Sequence, residues 1–367
     1  MSYITAIGTA NPNNKFSQDT LASFMIRAMQ LDQHDSRVLK TIFKASGIST
    51  RHSVLDDYGC ENNFSFYPNT PDFEPFPSTE KRLQVFRENA LRLSVSAVEN
   101  ALERFPSFDK KNITHLIVVC CTGMYAPGLD IDIVNSIGLQ STVQRTCITF
   151  MGCYAAFNAI KAADAFCKAD ENAKVLVVCT ELCSLHFQKS PTEDNLLANA
   201  LFADGAAALL MEGKTESKLS LVPEAFHSDL QPNGEQDMAW TVGDAGFEMK
   251  LSTYVPDIIK DGIRKLTSSL LHKINKKLTD IKHFAIHPGG KKILAAIEEE
   301  LGLTKENNLP AYQVLKNFGN MSSPTVLFVL KEIFYALSSA DDNEHVLSVA
   351  FGPGLTLESM MLRIESK

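Results

Sequence analysis

HLIVVCC at residues 115–121 and KVLVVC at residues 174–179 are continuous apolar runs rich in β-branched side chains. A run without polar alternation reads as a strand buried on both faces, as in sheets covered by helices on each side. AAALLM at 206–211 is a third such run. Between the first two, CITF (147–150) leads into YAAFNAIKAADAFCKA, a small-residue helix. Further out, residues 4–10 read as a strand, and 17–31 and 34–46 as helices. Ser78 caps a long helix whose stripe runs Leu83, Phe86, Ala90, Leu93, Ala97 and Ala101. Residues 57–77 carry Pro68, Pro71, Pro75 and Pro77 and read as a long surface loop. Residues 213–245 are more polar, and the boundary between half-chains is expected near 212–220. The second half repeats the alternation, with a strand at 283–288, helices from about Lys291 and over 323–338, and strands LSVAF and TLESMMLRI. This is α/β layering in two halves, 1–215 and 216–367.

The chain has 367 residues, 45% apolar and 21% charged, which excludes a disordered segment or a coiled-coil rod. A net charge of −8 argues against a nucleic-acid binder, because phosphate binding needs a basic face. No run is long and apolar enough for stable membrane insertion, and the N-terminus lacks a signal-peptide pattern. A cytoplasmic location with reduced thiols is therefore expected. The eight cysteines include adjacent Cys120 and Cys121, and Cys179 and Cys183 four apart, without CxxC or HExxH spacing, so no metal site is expected.

Three positions carry chemistry. Cys153 lies in MGCYAA, where a buried strand ends and a small-residue helix begins. A helix N-terminus favours thiolate over thiol, and Gly152 permits a tight turn that presents the sulfur. His287 ends a strand in IHPGG, where Pro288 keeps it extended and two glycines allow close approach of a ligand. Asn320, in NFGNMSSP, stands on the loop before a helix that Ser323 and Pro324 are placed to start. Gly352, Pro353 and Gly354 join two strands and offer backbone N–H donors at the two glycines. Read singly, each has a bland alternative: a core cysteine, a turn histidine, a turn asparagine, a tight turn.

Their combination and order resemble the type III polyketide synthases, the chalcone-synthase-like enzymes of the thiolase superfamily. The resemblance runs through GTANP, MGCYAA, LFADGAAALL, IHPGG, NFGNMSS and FGPGLTLE, over essentially the whole chain. It implies a five-layered αβαβα thiolase-like fold of two related halves, a homodimer, and a Cys-His-Asn triad at Cys153, His287 and Asn320. It also implies the reaction: an acyl-CoA starter loaded on cysteine, then extended by decarboxylative condensation with malonyl-CoA. The product would then cyclise to a pyrone, resorcinol or related phenolic, with no cofactor beyond coenzyme A thioesters as substrates. HMG-CoA synthases resemble this fold but use a glutamate for acid/base work, and no Cys-His-Glu pattern replaces Asn320 here. Single-round β-ketoacyl synthases share the triad but not the HPGG and GNMSS context, and a catalytically silent binding homologue remains the non-enzymatic alternative.

The same resemblance assigns the surroundings. Phe202 matches a gatekeeper phenylalanine, and the second gatekeeper falls on Met249. Cys121, Cys183 and His186 fall where plant chalcone synthases carry threonines. Ala126 falls where the dimer partner's methionine reaches across, and Ser322 matches a cavity-lining position. Trp240, the chain's one tryptophan, falls where those enzymes have glycine, which argues against chalcone as product. Cys121 is either a packed cysteine or a second reactive thiol. Arg37, Lys40, Lys44 and Arg51, with Lys291 and Lys292, are candidates for a basic coenzyme A mouth on an acidic protein.

Overall fold

The computed structural model of the protein describes residues 1–231, 234 and 237–366. Among them, nine strands form one mixed sheet. They are β1 (Tyr3–Ala10), β2 (His115–Cys120), β3 (Gln144–Thr149), β4 (Lys174–Leu182), β5 (Asp204–Glu212), β6 (Leu219–Leu230), β7 (His283–Ile286), β8 (His345–Gly352) and β9 (Thr356–Ser366). Their order is β7-β8-β9-β6-β1-β5-β4-β2-β3. In the first half β2 and β4 are parallel, while β4 and β5, and β5 and β1, are antiparallel. In the second half β7 and β8 are parallel, while β8 and β9, and β9 and β6, are antiparallel. One topology is therefore built twice. The seam is narrow: β1 meets β6 at the register pair Ile4–Leu221.

The helices that position the site are α1 (Gln33–Ala45), α2 (Thr79–Leu102), α3 (Ala155–Ala169), α4 (Val255–Lys273), α5 (Lys291–Leu301) and α6 (Thr325–Ala336). α2 covers β1, β4 and β5 from outside, and α4 covers β6 and β9. α3 and α6 lie between the half-sheets, α3 touching β2, β3, β4, β5 and β9, and α6 touching β1, β5 and β7. This is the layered αβαβα arrangement of the thiolase-like fold. Small residues make the middle layer thin: Ala155, Ala156, Ala159 and Ala163 of α3 are all buried. Phe157 and Ile160 fill the gaps between them, each contributing about 2 kcal/mol by leaving water. On the outer side, a Cβ at Gly8 of β1 would sit 2.1 Å from the Ala101 backbone nitrogen of α2, so only hydrogen fits there.

Two local expectations, at residues 57–77 and at Ser323, need correction. Residues 57–77 are not a surface loop, because Phe64, Phe66, Tyr67 and Phe73 are buried. The segment is wound around the Asp57 carboxylate, which accepts from the amides of Ser65 (2.8 Å), Phe66 (2.9 Å) and Tyr67 (2.7 Å). The polar stretch 213–245 contains β6 and a hairpin of Met238–Gly243 with Gly246–Leu251. Only the first part of β6 is buried, which hid it from a search for continuous apolar runs; residues 232, 233, 235 and 236 of that stretch lie outside the described residues. Ser323 does not cap α6. Its Oγ donates to Glu181 Oε1 at 2.8 Å instead, and the helix begins at Thr325.

Candidate active site

Cys153 sits in a tight 3-10 turn, Gly152–Tyr154, between β3 and α3. Gly152 has φ +75°, and a Cβ there would lie 2.3 Å from Pro353 Cδ, so the 352–354 loop closes directly onto the nucleophile's turn. On the other side of that loop, a Cβ at Gly352 would meet the Cys153 backbone nitrogen at 3.2 Å. Cys153 Sγ lies 3.9 Å from Asn320 Oδ1 and 4.0 Å from Asn320 Nδ2.

Asn320 is held on all sides. Its N–H donates to the Leu201 carbonyl (2.9 Å), and its own carbonyl accepts from Ala203 N–H (2.9 Å). Its Oδ1 accepts from Ser322 N–H (2.8 Å) and Thr325 Oγ1 (3.3 Å), which leaves Nδ2 as the group facing the cavity. Nδ2 is also 3.5 Å from the Gly289 carbonyl oxygen. Ser322 (φ 59°) and Phe150 (φ 58°) take left-handed backbone without being glycine, a strained choice that clusters at functional sites.

His287 stands two residues before Gly289 and is fully buried. Its N–H donates to the Val349 carbonyl at 2.8 Å, and its ring lies edge-on to Phe351 at 5.4 Å between centroids. Neither ring nitrogen has a hydrogen-bond partner among the described residues. Burial pushes the imidazole down to about 3 and the Cys153 thiol up to about 11, the latter eased by hydrogen bonding from Ser322 and Asn320. Loss of water therefore opposes the helix end, acting against charge on either group.

The nucleophile lies in a mostly apolar cavity of about 30 Å³, lined among others by Cys121, Cys183, Phe202, Trp240, Met249 and Ser322. That volume holds about two water molecules. Trp240 and Met249 face each other across the 238–251 hairpin, and the indole Nε1 donates to the Cys121 carbonyl at 3.0 Å. Cys121 is packed: its Sγ accepts from Gly152 N–H at 3.1 Å, and burial with the nearby Glu181 pushes the thiol up. His186 is not in this cavity. It lines the adjoining outer pocket of about 40 Å³, fixed by Nε2 to the Thr122 carbonyl (2.7 Å) and by Phe247 N–H to Nδ1 (2.9 Å). Ala126 is also outside it, on an exposed loop, because the chain leaves β2 toward the surface.

A vestibule of about 150 Å³ shares Leu251, Gly289 and Ile293 with the nucleophile's cavity. Lys291 and Lys292 line it with the end of α1, at Ile42, Ala45 and Ser46. Arg37, Lys40 and Lys44 are exposed on α1 without forming its wall. Arg51 is a correction: it is buried, its Nε donating to Gln18 Oε1 (2.9 Å) and Nη1 to the Phe202 carbonyl (2.5 Å), so it cannot serve a solvent-facing mouth.

Sequence reasoning missed Glu181. This fully buried carboxylate accepts from Cys121 N–H (2.9 Å), Thr122 Oγ1 (2.7 Å) and Ser323 Oγ (2.8 Å), tying the end of β2 to the Asn320 loop. Its signal was there: one acidic residue near the end of a strand whose other charge, Lys174, stands at its start. All eight cysteines are free thiols. Among the described residues, no cluster of three or more His, Cys, Asp or Glu is placed to hold a metal, and no helix is long and apolar enough to cross a membrane.

The family model for chalcone and stilbene synthases matches with its N-terminal domain at residues 1–214 and its C-terminal domain at 224–365. An alpha-pyrone synthesis polyketide synthase-like protein of Mycobacterium tuberculosis is 30% identical over 99% of this chain and 91% of its own length. Probable polyketide synthase 1 of Dictyostelium discoideum is 31% identical over 99% of this chain, which spans 11% of that much longer protein. Among solved structures, the C-terminal type III polyketide synthase domain of the Dictyostelium hybrid Steely1 superimposes with a TM-score of 0.90 at 30% identity, covering 99% of both chains.

Proposed function

The chain belongs to the chalcone and stilbene synthase family and is a type III polyketide synthase, and from that premise we propose the roles of its residues. Cys153 Sγ attacks the thioester carbonyl of an acyl-CoA starter. His287 takes the thiol proton and passes it to the departing coenzyme A sulfur. Malonyl-CoA then enters the same cavity, and its carboxylate leaves as CO₂. The electron pair moves onto the thioester oxygen as an enolate, stabilised by the Asn320 Nδ2 donor and the His287 N–H. The enolate carbon attacks the acyl group on Cys153, whose N–H with the 352–354 loop holds the developing oxyanion, and the thiolate leaves.

The observation that carries this reading is convergence. Residues 167 positions apart meet within about 4 Å around a mostly apolar cavity, and His287 keeps both ring nitrogens unpaired among the described residues. Decarboxylation releases charge onto an oxygen, and fixed donors in a mostly apolar site serve that better than a base would. Lys291 and Lys292, at the start of α5, suit the phosphates of coenzyme A at the vestibule. The chain acts as a cytoplasmic homodimer without a further cofactor. The unpaired outer edge of β3, largely exposed just ahead of Cys153, supports a second copy there.

The test is incubation with radiolabelled malonyl-CoA and a panel of starter thioesters, aromatic through long-chain. Release of labelled CO₂ and extended products is expected, and its absence with every starter refutes the reading. Cys153→Ala should abolish covalent acyl loading seen by intact-protein mass; retained loading moves the nucleophile elsewhere.

A further inference from the structure

The outer pocket of about 40 Å³ shares Cys183, Phe202, Trp240 and Met249 with the nucleophile's cavity. An acyl group on Cys153 that passes these four residues enters it. Arg51, 4% exposed, forms part of its wall. Two of its guanidinium nitrogens are committed, to Gln18 and to the Phe202 carbonyl, and Nη2 has no partner among the described residues. A buried donor left unpaired is costly, so a ligand oxygen that reaches it is favoured.

Three neighbouring side chains have partners of their own. His186 uses both ring nitrogens, Tyr58 Oη donates to the Ser184 carbonyl (2.7 Å), and Gln188 Nε2 is shared among backbone carbonyls. Asp204 supplies the charge opposite Arg51. Its carboxylate is held by Val54 N–H (2.8 Å), Ser184 N–H (2.7 Å) and Ser184 Oγ (2.6 Å), and it interacts favourably with the guanidinium without bonding to it. A site whose cation is already balanced asks for an acceptor oxygen, not for another anion.

We propose that this outer pocket binds the far end of the starter's acyl chain, and that Arg51 Nη2 selects starters ending in a neutral acceptor oxygen, a ketone or a hydroxyl. The inference rests on the polyketide synthase reading and names its substrate class. About 40 Å³ admits such a terminal group and little more.

Three thioesters of matched length test it: octanoyl-CoA, its analogue with a ketone next to the chain end, and its analogue with a carboxylate at the chain end. The readout is kcat/KM for extension with malonyl-CoA, with loading on Cys153 followed by mass. The ketone should be preferred over the plain alkyl chain by about tenfold or more. Because Arg51 also supports its surroundings, the pocket is blocked separately by Met25→Trp, which fills it without removing the guanidinium and should bring the ratio close to one. Equal use of alkyl and ketone starters, a preference for the carboxylate, or a preference surviving in folded Met25→Trp overturns the inference while the polyketide synthase reading stands. Absence of malonyl decarboxylation with any starter overturns that reading and the inference with it.

Discussion

Replacing Glu181 by glutamine isolates the one buried carboxylate that ties the two halves beside the nucleophile. Burial raises its pKa from 4.5 to about 7, against the pull of hydrogen bonds from Thr122, Cys121 and Ser323. Between those values the folded protein binds a proton that the unfolded chain has lost. Stability from this group is therefore complete below about pH 4.5, falls as pH rises through the window, and is lost above about pH 7. The interval corresponds to about 3 kcal/mol. Glutamine removes the titration, but its NH₂ meets donors on one side, a pH-independent cost of about 1–2 kcal/mol. At pH 4 the wild type should be the more stable protein by about that amount, and by pH 8.5 the order should reverse. Asp204, raised to about 6 by its own burial, titrates alike in both proteins and cancels from the difference. Urea unfolding across this range, at one protein concentration, gives the two curves. A difference that stays constant with pH refutes the argument.

Other expected outcomes follow from the site. Asn320→Asp should slow malonyl decarboxylation by about 10²–10³ while acyl loading changes less; equal losses in both steps would contradict the donor role. Trp240→Gly joins cavities of about 30 and 40 Å³ and should lengthen products or admit bulkier starters, read by product mass, at a stability cost of about 3 kcal/mol. Lys291→Glu combined with Lys292→Glu should raise KM for malonyl-CoA about tenfold at low salt and less at high salt; a KM unchanged at low salt would remove both from the mouth.

The parts of the fold legible in sequence were those whose physics is local and repetitive. β2, β4 and β5 announce themselves because both faces of each strand are buried, so their central positions are apolar or small. β6 does not, because its burial pattern changes along its length. Cys153 and Asn320 were readable because glycine and proline fix the turns that present them. Arg51 and Ser323 were misread for one reason: a charge was taken as solvent-facing and a serine before proline as a cap. Partners far along the chain, Phe202 for one and Glu181 for the other, decide both. Long-range satisfaction of a buried polar group leaves no local pattern to find.

The backbone stitch between Asn320 and the segment Leu201–Ala203 has a consequence for how the enzyme comes into being. A ribosome releases the thiol-bearing half long before the strand, loop and helix that deliver His287 and Asn320. Both side chains assigned to the malonyl thioester, His287 and Asn320, belong to the later half, so a nascent chain lacks the decarboxylating donors. Contacts of such long sequence separation also form slowly. After dilution from denaturant, near-native spectra should therefore precede the first catalytic turnover, and the lag between them would measure how long the halves take to close.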